Sequence, residues 1–191
     1  MKALLQHPPL ILHFLINFMQ VEKRGIAIEL RAAGRRLEGY AATFGIEAKI
    51  GGFTEVIAAG AFAESLKSND ILALVDHDPT RLLARTRSNT LRLSEDSKGL
   101  AFSLNIPDTQ TGKDILALAE RSDLGGMSFG FTVPKNGEVW IGNRRELLAV
   151  NLHEISVVAA WPAYNGTIIH ARNKQIKTMN DYRLDLMRMR A

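Results

Sequence analysis

The chain contains no cysteine among its 191 residues. This absence excludes disulfide bonds, a thiolate nucleophile and zinc sites with thiolate ligands. It fits a reducing compartment such as the cytoplasm. Histidine is also scarce, with five residues in total. A metal site would therefore need histidine and carboxylate ligands, and a histidine acting as general base has few candidates.

Long hydrophobic runs are missing as well. The apolar run nearest the N-terminus, residues 10–18, is too short to cross a bilayer. No pair of small residues marks a signal-peptide cleavage site after it. We therefore expect no membrane association. We treat residues 1–25 as an N-terminal extension that is either disordered or not natively translated.

Charge of one sign does not dominate, because the formal net charge is only +4. Lysine and arginine are scattered and become denser only near the C-terminus, so no basic stripe predicts nucleic-acid binding. A content of 46% hydrophobic residues suffices for one globular domain with a core. We assign this domain to residues 26–172 and expect a basic helix or tail over residues 173–191.

Short apolar or alternating segments separated by turn residues make the domain strand-rich, with a spacing typical of a barrel or sandwich. Strands are expected at residues 26–31, 37–44, 53–57, 71–75, 80–86, 90–94, 99–106, 128–133, 139–141, 145–150 and 152–160. Helical turns are expected at residues 60–66, and a full helix at residues 111–122 with Thr109 or Thr111 as its N-cap. Core positions are expected for the aromatic residues Phe129, Phe131, Trp140 and Trp161.

The segment Gly126-Met127-Ser128-Phe129-Gly130 has the G-x-S-x-G pattern that presents a serine nucleophile in many hydrolases. In α/β-hydrolases this serine lies on a turn between a strand and a helix. Here aromatic and β-branched residues closed by Pro134 follow the serine, which predicts a continuing strand. The pattern therefore favours a serine hydrolase of another fold, with Ser128 in or at the end of a strand.

A serine nucleophile needs a base, and Asp76-His77-Asp78 follows the apolar run at residues 71–75. We expect a buried strand that delivers His77 at its end and that Pro79 terminates. His77 is the candidate base. The alternative is a metal site formed with Asp76 and Asp78. We rank it lower, because no second cluster of ligand residues accompanies it.

An ordered series of motifs carries a family resemblance across residues 26–172. The motifs are Leu37-Glu38-Gly39-Tyr40-Ala41-Ala42-Thr43-Phe44-Gly45, Gly60-Ala61-Phe62, Asp76-His77-Asp78-Pro79, Met127-Ser128-Phe129-Gly130-Phe131 and Glu154-Ile155-Ser156-Val157-Val158. With these motifs the chain resembles the prohead maturation proteases of tailed bacteriophages, which are serine proteases of the herpesvirus assemblin type. The resemblance implies an α+β fold: a small closed, mostly antiparallel β-barrel with surrounding helices.

The resemblance implies Ser128 as nucleophile, His77 as base and a third polar residue that varies in the family. Glu154 and His153 are the candidates for this third position. As neighbours in a predicted strand they face opposite sides, so only one can reach His77. We favour Glu154, because phage relatives carry an acidic residue there and a carboxylate stabilises a protonated imidazole. His153 remains the alternative.

The oxyanion site needs backbone N–H groups close to the nucleophile. Gly125 and Gly126 offer unobstructed amides just before the serine, and the amide of Ser128 itself completes the candidate set. In herpesvirus relatives an arginine assists this site. By resemblance, Arg85 and Arg121 are the candidates here.

The resemblance implies an endopeptidase that needs neither metal nor cofactor. Its substrates would be the major capsid protein or a scaffold protein, and itself. It would act as a homo-oligomer, expected to be a dimer, inside the immature prohead in the host cytoplasm, or as a prophage-encoded cytoplasmic protein. Two other classes stay open: an inactive, scaffold-type assembly protein, and an esterase-like hydrolase with an apolar acyl pocket.

Overall fold

The computed structural model describes residues 21–26 and 31–159, with side chains from residue 34 onward in the second range. The predictions for residues 1–20, for strand residues 27–30, for Trp161 and for the C-terminal segment 173–191 lie outside the described residues. None of the helices in the described ranges is long and apolar enough to cross a membrane.

Short strands dominate the described part of the chain. The strands are β1 (Glu22–Ile26), β2 (Arg31–Ala33), β3 (Arg36–Thr43), β4 (Ala48–Ile50), β5 (Phe53–Ile57), β6 (Leu72–Val75), β7 (Asp78–Arg85), β8 (Leu91–Glu95), β9 (Gly99–Asn105), β10 (Gly126–Thr132), β11 (Glu138–Ile141), β12 (Arg144–Leu147) and β13 (Asn151–Val158). The helices are α1 (Ala63–Ser68) and α2 (Gln110–Glu120). The expected mixed, mostly β fold with few helices is confirmed.

The described strands form three hydrogen-bonded sheets. A five-stranded sheet has the order β1-β10-β13-β6-β7, and two four-stranded sheets have the orders β11-β12-β5-β4 and β2-β3-β9-β8. Most neighbours are antiparallel, but β13 runs parallel to β6, and β12 runs parallel to β5. Within residues 21–26 and 31–159 the expected closed barrel is not found, because β1 and β7 remain the two edges of the largest sheet.

Side chains of the five-stranded sheet alternate between its two faces along each strand. Met127, Phe129 and Phe131 of β10 point into the core and are at most 1% exposed. The ring of Phe62 packs edge-on against Phe129, with centroids 5.6 Å apart. The prediction that Trp140 is a core residue is wrong. Trp140 is 49% exposed on edge strand β11.

Three local predictions differ from the structure, and one is confirmed. β1 begins at Glu22, earlier than expected, because the charges of this strand are paired inside the protein. Pro79 does not end the predicted strand, since the chain turns before it and Pro79 lies within β7. The short strand β4 was not expected. Helix α2 was expected, and Thr109 caps it by accepting the Gly112 N–H at 3.2 Å.

Candidate active site

His77 lies in a two-residue hairpin turn. Strand β6 ends at Val75 and β7 begins at its pairing partner Asp78, so Asp76 and His77 form the whole connection. Their φ angles are 52° and 60°. A type I′ turn requires positive φ at both central residues, a region that residues with a side chain seldom adopt. The backbone at the candidate base is therefore strained, as is common at functional sites.

Contacts with β13 hold this turn in place. The Asp76 N–H donates to the Val157 carbonyl at 3.0 Å, and the Asp76 carboxylate accepts the Ala159 N–H at 2.9 Å. The His77 N–H donates to Oγ of Ser156, also at 3.0 Å. His77 is thus positioned by a neighbouring strand.

The imidazole of His77 contacts the carboxylate of Glu154. Nδ1 of His77 lies 2.6 Å from Oε1 of Glu154, although the residues are 77 positions apart in the chain. Glu154 is 8% exposed. Its second oxygen, Oε2, accepts the hydroxyl proton of Ser156 at 2.7 Å. A carboxylate at Nδ1 orients the ring and leaves Nε2 as the nitrogen that can exchange a proton with a nucleophile.

Ser128 lies in the middle of β10, on the same sheet face as Glu154. It is paired with Ser156 of β13, while Gly130 is paired with Glu154. Ser128 is 4% exposed, and its hydroxyl donates to the carbonyl of Arg24 on β1 at 2.8 Å. In this conformation the hydroxyl proton therefore points to β1.

The glycines before the serine were predicted to supply oxyanion donors. The Gly125 N–H donates to the Val158 carbonyl at 2.8 Å, so this amide is engaged in the sheet. Gly126 begins β10 with a φ of 141°, which L-residues rarely adopt.

His153 lies away from His77. A bulge in β13 follows the pairing of Gly130 with Glu154 and leaves His153 as an extra residue. Its Nε2 contacts Oγ1 of Thr132 at 3.0 Å, beside an open cavity of about 750 Å³. Between the two candidates for the third position, Glu154 is therefore the one that contacts His77.

The two arginines considered for the oxyanion site bind carboxylates elsewhere. Arg85 pairs with Asp70, and the hydrogen bond between them lowers the pKa of Asp70. Arg121 pairs with Asp123 at 2.7 Å on the surface. Neither contact brings a guanidinium to His77 or Ser128 in this conformation.

The alternative metal site at Asp76-His77-Asp78 is not assembled. Asp76 is bound by Arg81 at 3.0 Å, and Asp78 accepts from the hydroxyl and N–H of Thr80 at 2.6 and 2.8 Å. These Thr80 hydrogen bonds lower the pKa of Asp78. Among residues 21–26 and 31–159 no three histidine, aspartate or glutamate side chains are grouped to hold a metal ion.

Sequence reasoning missed two residues that touch the site, Ser156 and Arg24. Ser156 is fully buried and bonds both to Glu154 and to the His77 backbone. Its signal was its spacing, because residues two apart on a strand share a face, so Ser156 accompanies Glu154. Arg24 acts through its backbone carbonyl, which no side-chain pattern reveals.

The chain is similar to known proteins in sequence and in fold. The family model described as caudovirus prohead serine protease matches residues 24–182. Among solved structures, the capsid assembly protease of bacteriophage T4, gp21, matches with a TM-score of 0.52 and 9% sequence identity. The match covers 74% of this chain and 96% of that chain, and at this identity it shows a shared fold. No curated protein sequence matches.

Proposed function

The chain belongs to the caudovirus prohead serine proteases, and from this membership we propose that Ser128, His77 and Glu154 are its catalytic residues. The observation that carries the proposal is the 2.6 Å contact between His77 Nδ1 and Glu154 Oε1. It joins two distant segments into the base and acid of a serine protease site. Ser128 supports the proposal from the adjacent strand, on the face that Glu154 occupies.

The proposed reaction proceeds through an acyl-enzyme. Oγ of Ser128 attacks the scissile carbonyl while Nε2 of His77 takes the hydroxyl proton, and Glu154 stabilises the imidazolium. His77 then passes this proton to the leaving amine. Water, deprotonated by His77, hydrolyses the ester and releases the serine. The intermediate's negative oxygen would be held by the backbone amides of Gly125, Gly126 and Ser128, once those engaged in the sheet are released from their carbonyl partners.

A conformational step precedes this chemistry in our proposal. The Ser128 hydroxyl donates to the Arg24 carbonyl, so its proton is not directed at the base. Rotation about the side-chain bond of Ser128 would break that hydrogen bond and release the hydroxyl. Binding of a substrate beside β1 could supply the trigger.

The substrates follow from the family. A capsid assembly protease acts on capsid or scaffold proteins inside the prohead, and we propose that this chain also cleaves itself there. We further propose that it works as a homo-oligomer of the herpesvirus assemblin type, in the host cytoplasm. The order of His77 before Ser128 and the predominantly β fold support that relationship.

Mass spectrometry after co-expression with the capsid protein tests the nucleophile. We expect wild type to shorten itself and the capsid protein, and Ser128→Ala to leave both intact while folding normally. Ser94→Ala, a change at an exposed strand position, is the control and should behave as wild type. Cleavage by Ser128→Ala would refute the assignment. A wild-type chain that leaves both proteins intact would favour a scaffold-type role instead.

A further inference from the structure

We infer that Ser156 is a positioning residue of this site, one whose hydroxyl sets the relative positions of the acid and the base. This inference rests on the proposed function, because it concerns how Glu154 and His77 act together. Ser156 lies on β13, two residues after Glu154, and is fully buried.

The directions of its two hydrogen bonds follow from the donors. The His77 N–H donates to Oγ of Ser156 at 3.0 Å, so Oγ accepts there. A serine hydroxyl has a single proton. That proton therefore goes to Oε2 of Glu154, 2.7 Å away, which accepts it.

This hydroxyl fixes how the carboxylate is turned. Oε2 of Glu154 is held by Ser156 while Oε1 faces Nδ1 of His77. The terminal torsion angle of a glutamate side chain has a broad distribution, with little preference for one value. Without the Ser156 proton, the carboxylate is free to rotate, and Oε1 no longer has one defined position against the imidazole.

The same oxygen also holds the backbone of the base. His77 lies in the turn with positive φ angles, and its N–H bond to Ser156 is one of the contacts that keep this turn on β13. A single atom, Oγ of Ser156, thus couples the strained turn to the acid. Its loss should affect catalysis beyond the cost of a missing buried hydrogen bond.

The chain offers a matched control in Ser65, which is 2% exposed. Its hydroxyl accepts the Leu152 N–H at 2.9 Å and donates to the Val150 carbonyl at 2.6 Å. Ser65 and Ser156 therefore have the same burial and the same pattern of one accepted and one donated bond. Ser65 contacts neither Glu154 nor His77.

Steady-state kinetics on a peptide taken from a mapped cleavage site compares the two serines in the full-length protein. We expect Ser156→Ala to lower kcat by about tenfold to a hundredfold with KM little changed. This is the usual range when a residue loses the hydrogen-bonding partner that orients it, as measured for metal ligands. Ser65→Ala should lose similar thermal stability yet keep its kcat. Equal kcat in both variants would overturn the inference.

A double-mutant cycle tests the route of the effect. If Ser156 acts through Glu154, Ser156→Ala should cost little further activity once Glu154→Gln is present. A full and independent loss in that background would contradict a positioning role. Ser156→Thr keeps the hydroxyl, so it should recover more of kcat than Ser156→Ala at matched stability. Failure to do so would also count against the inference.

A spectroscopic readout separates this inference from the proposed function. In ¹⁵N-labelled protein carrying Ser128→Ala, the Nδ1–H proton of His77 should resonate far downfield because of its short bond to Glu154. Adding Ser156→Ala should move that resonance upfield, whereas adding Ser65→Ala should not. An unmoved resonance would refute the positioning role even if Ser128 proves to be the nucleophile. If the wild-type protein shows no protease activity, the proposed function fails, but a shifted resonance would still support the positioning role of Ser156.

Discussion

Gly126 and Gly130 flank Ser128 for different physical reasons. Gly126 has a φ of 141°, which a residue with a side chain would adopt only under strain. Gly130 has an ordinary φ, but a Cβ there would overlap Oε1 of Glu154 and lie 3.1 Å from its Cδ. The second glycine of the pattern thus makes room for the acid, on a strand rather than on a turn before a helix.

Gly130→Ala should therefore displace the Glu154 carboxylate from His77 while leaving all three proposed catalytic residues in the chain. A displacement of about 1 Å can cost on the order of a hundredfold in rate, and we expect a loss of kcat of that size. The control is Gly52→Ala, since nothing lies within 4 Å of a Cβ at Gly52 and its φ is ordinary. Peptide-cleavage kinetics of both variants measures the effect. Unchanged kcat in Gly130→Ala would mean that the carboxylate position is not critical.

The neighbouring residues Glu154 and His153 allow a second test at this scale. Glu154→Gln keeps the shape of the side chain but removes the charge that stabilises the imidazolium, so we expect kcat to fall by about a thousandfold or more. His153→Gln should remain largely active, because His153 contacts Thr132 and not His77. Kinetics on one substrate decides between them. The reverse pattern would assign the third position to His153.

Strand β1 connects β10, which contains Ser128, to the sheet that contains β5 and β12. Its Arg24 is 7% exposed and bonds to Glu55 of β5 at 2.6 and 2.9 Å. Arg145 of β12 bonds to Glu22 and Glu55. Buried charges need such pairing to offset their desolvation. This charge cluster fixes the strand whose Arg24 carbonyl holds the Ser128 hydroxyl.

The charge cluster also shifts the pKa values of Glu22 and Arg145. Burial by itself would raise the pKa of Glu22, but the hydrogen bonds and charges of Arg145 and Arg24 outweigh it and lower the pKa. For Arg145, burial alone would lower the pKa, and its carboxylate partners Glu22, Glu55 and Glu138 raise it instead. At pH values above the ordinary titration range of glutamate, ionised Glu22 thus stabilises the fold.

We expect Glu22→Gln to lower the free energy of unfolding by roughly 1–2 kcal/mol at pH 7, less than for a fully buried pair because 28% of the Glu22 side chain is exposed. The lowered pKa means that wild type loses this stabilisation as the pH falls below about 4, the usual range of an unfolded glutamate. The difference between the two proteins should shrink there. Urea titrations at pH 7 and pH 3 measure it. The control variant is Glu64→Gln, at an exposed residue that is paired with Lys67. An equal difference at both pH values would contradict the linkage.

At the scale of the whole molecule, the parallel pairing of β13 with β6 assembles the site. It sets Val75, the last residue of β6, beside Val157 of β13. The turn after Val75 is thereby brought against Glu154 and Ser156. The antiparallel pairing of β13 with β10 places Ser128 on the same face. Segments from three strands thus come together at the candidate site.

Most of the secondary structure follows from local features of the sequence. Alternating apolar residues predicted most of the strands, because burial of one sheet face imposes a period of two. Phe129 and Phe131 showed that Ser128 continues a strand, and Thr109 marked the start of α2. Chain neighbours face opposite sides of a strand, so of the two candidates Glu154 and His153 only one could reach His77.

Which of these residues come into contact depends on the tertiary fold. The contact of His77 with Glu154, the two bonds of Ser156 and the space over Gly130 all depend on strand pairings between segments far apart in the chain. Strand β1 could not be predicted from the sequence, because its charged residues are paired with residues on β5 and β12 that are distant in the chain. Hydrophobic periodicity reports which face of a strand is buried, but not which strand lies next to it, because pairing is set by the packing of the whole core.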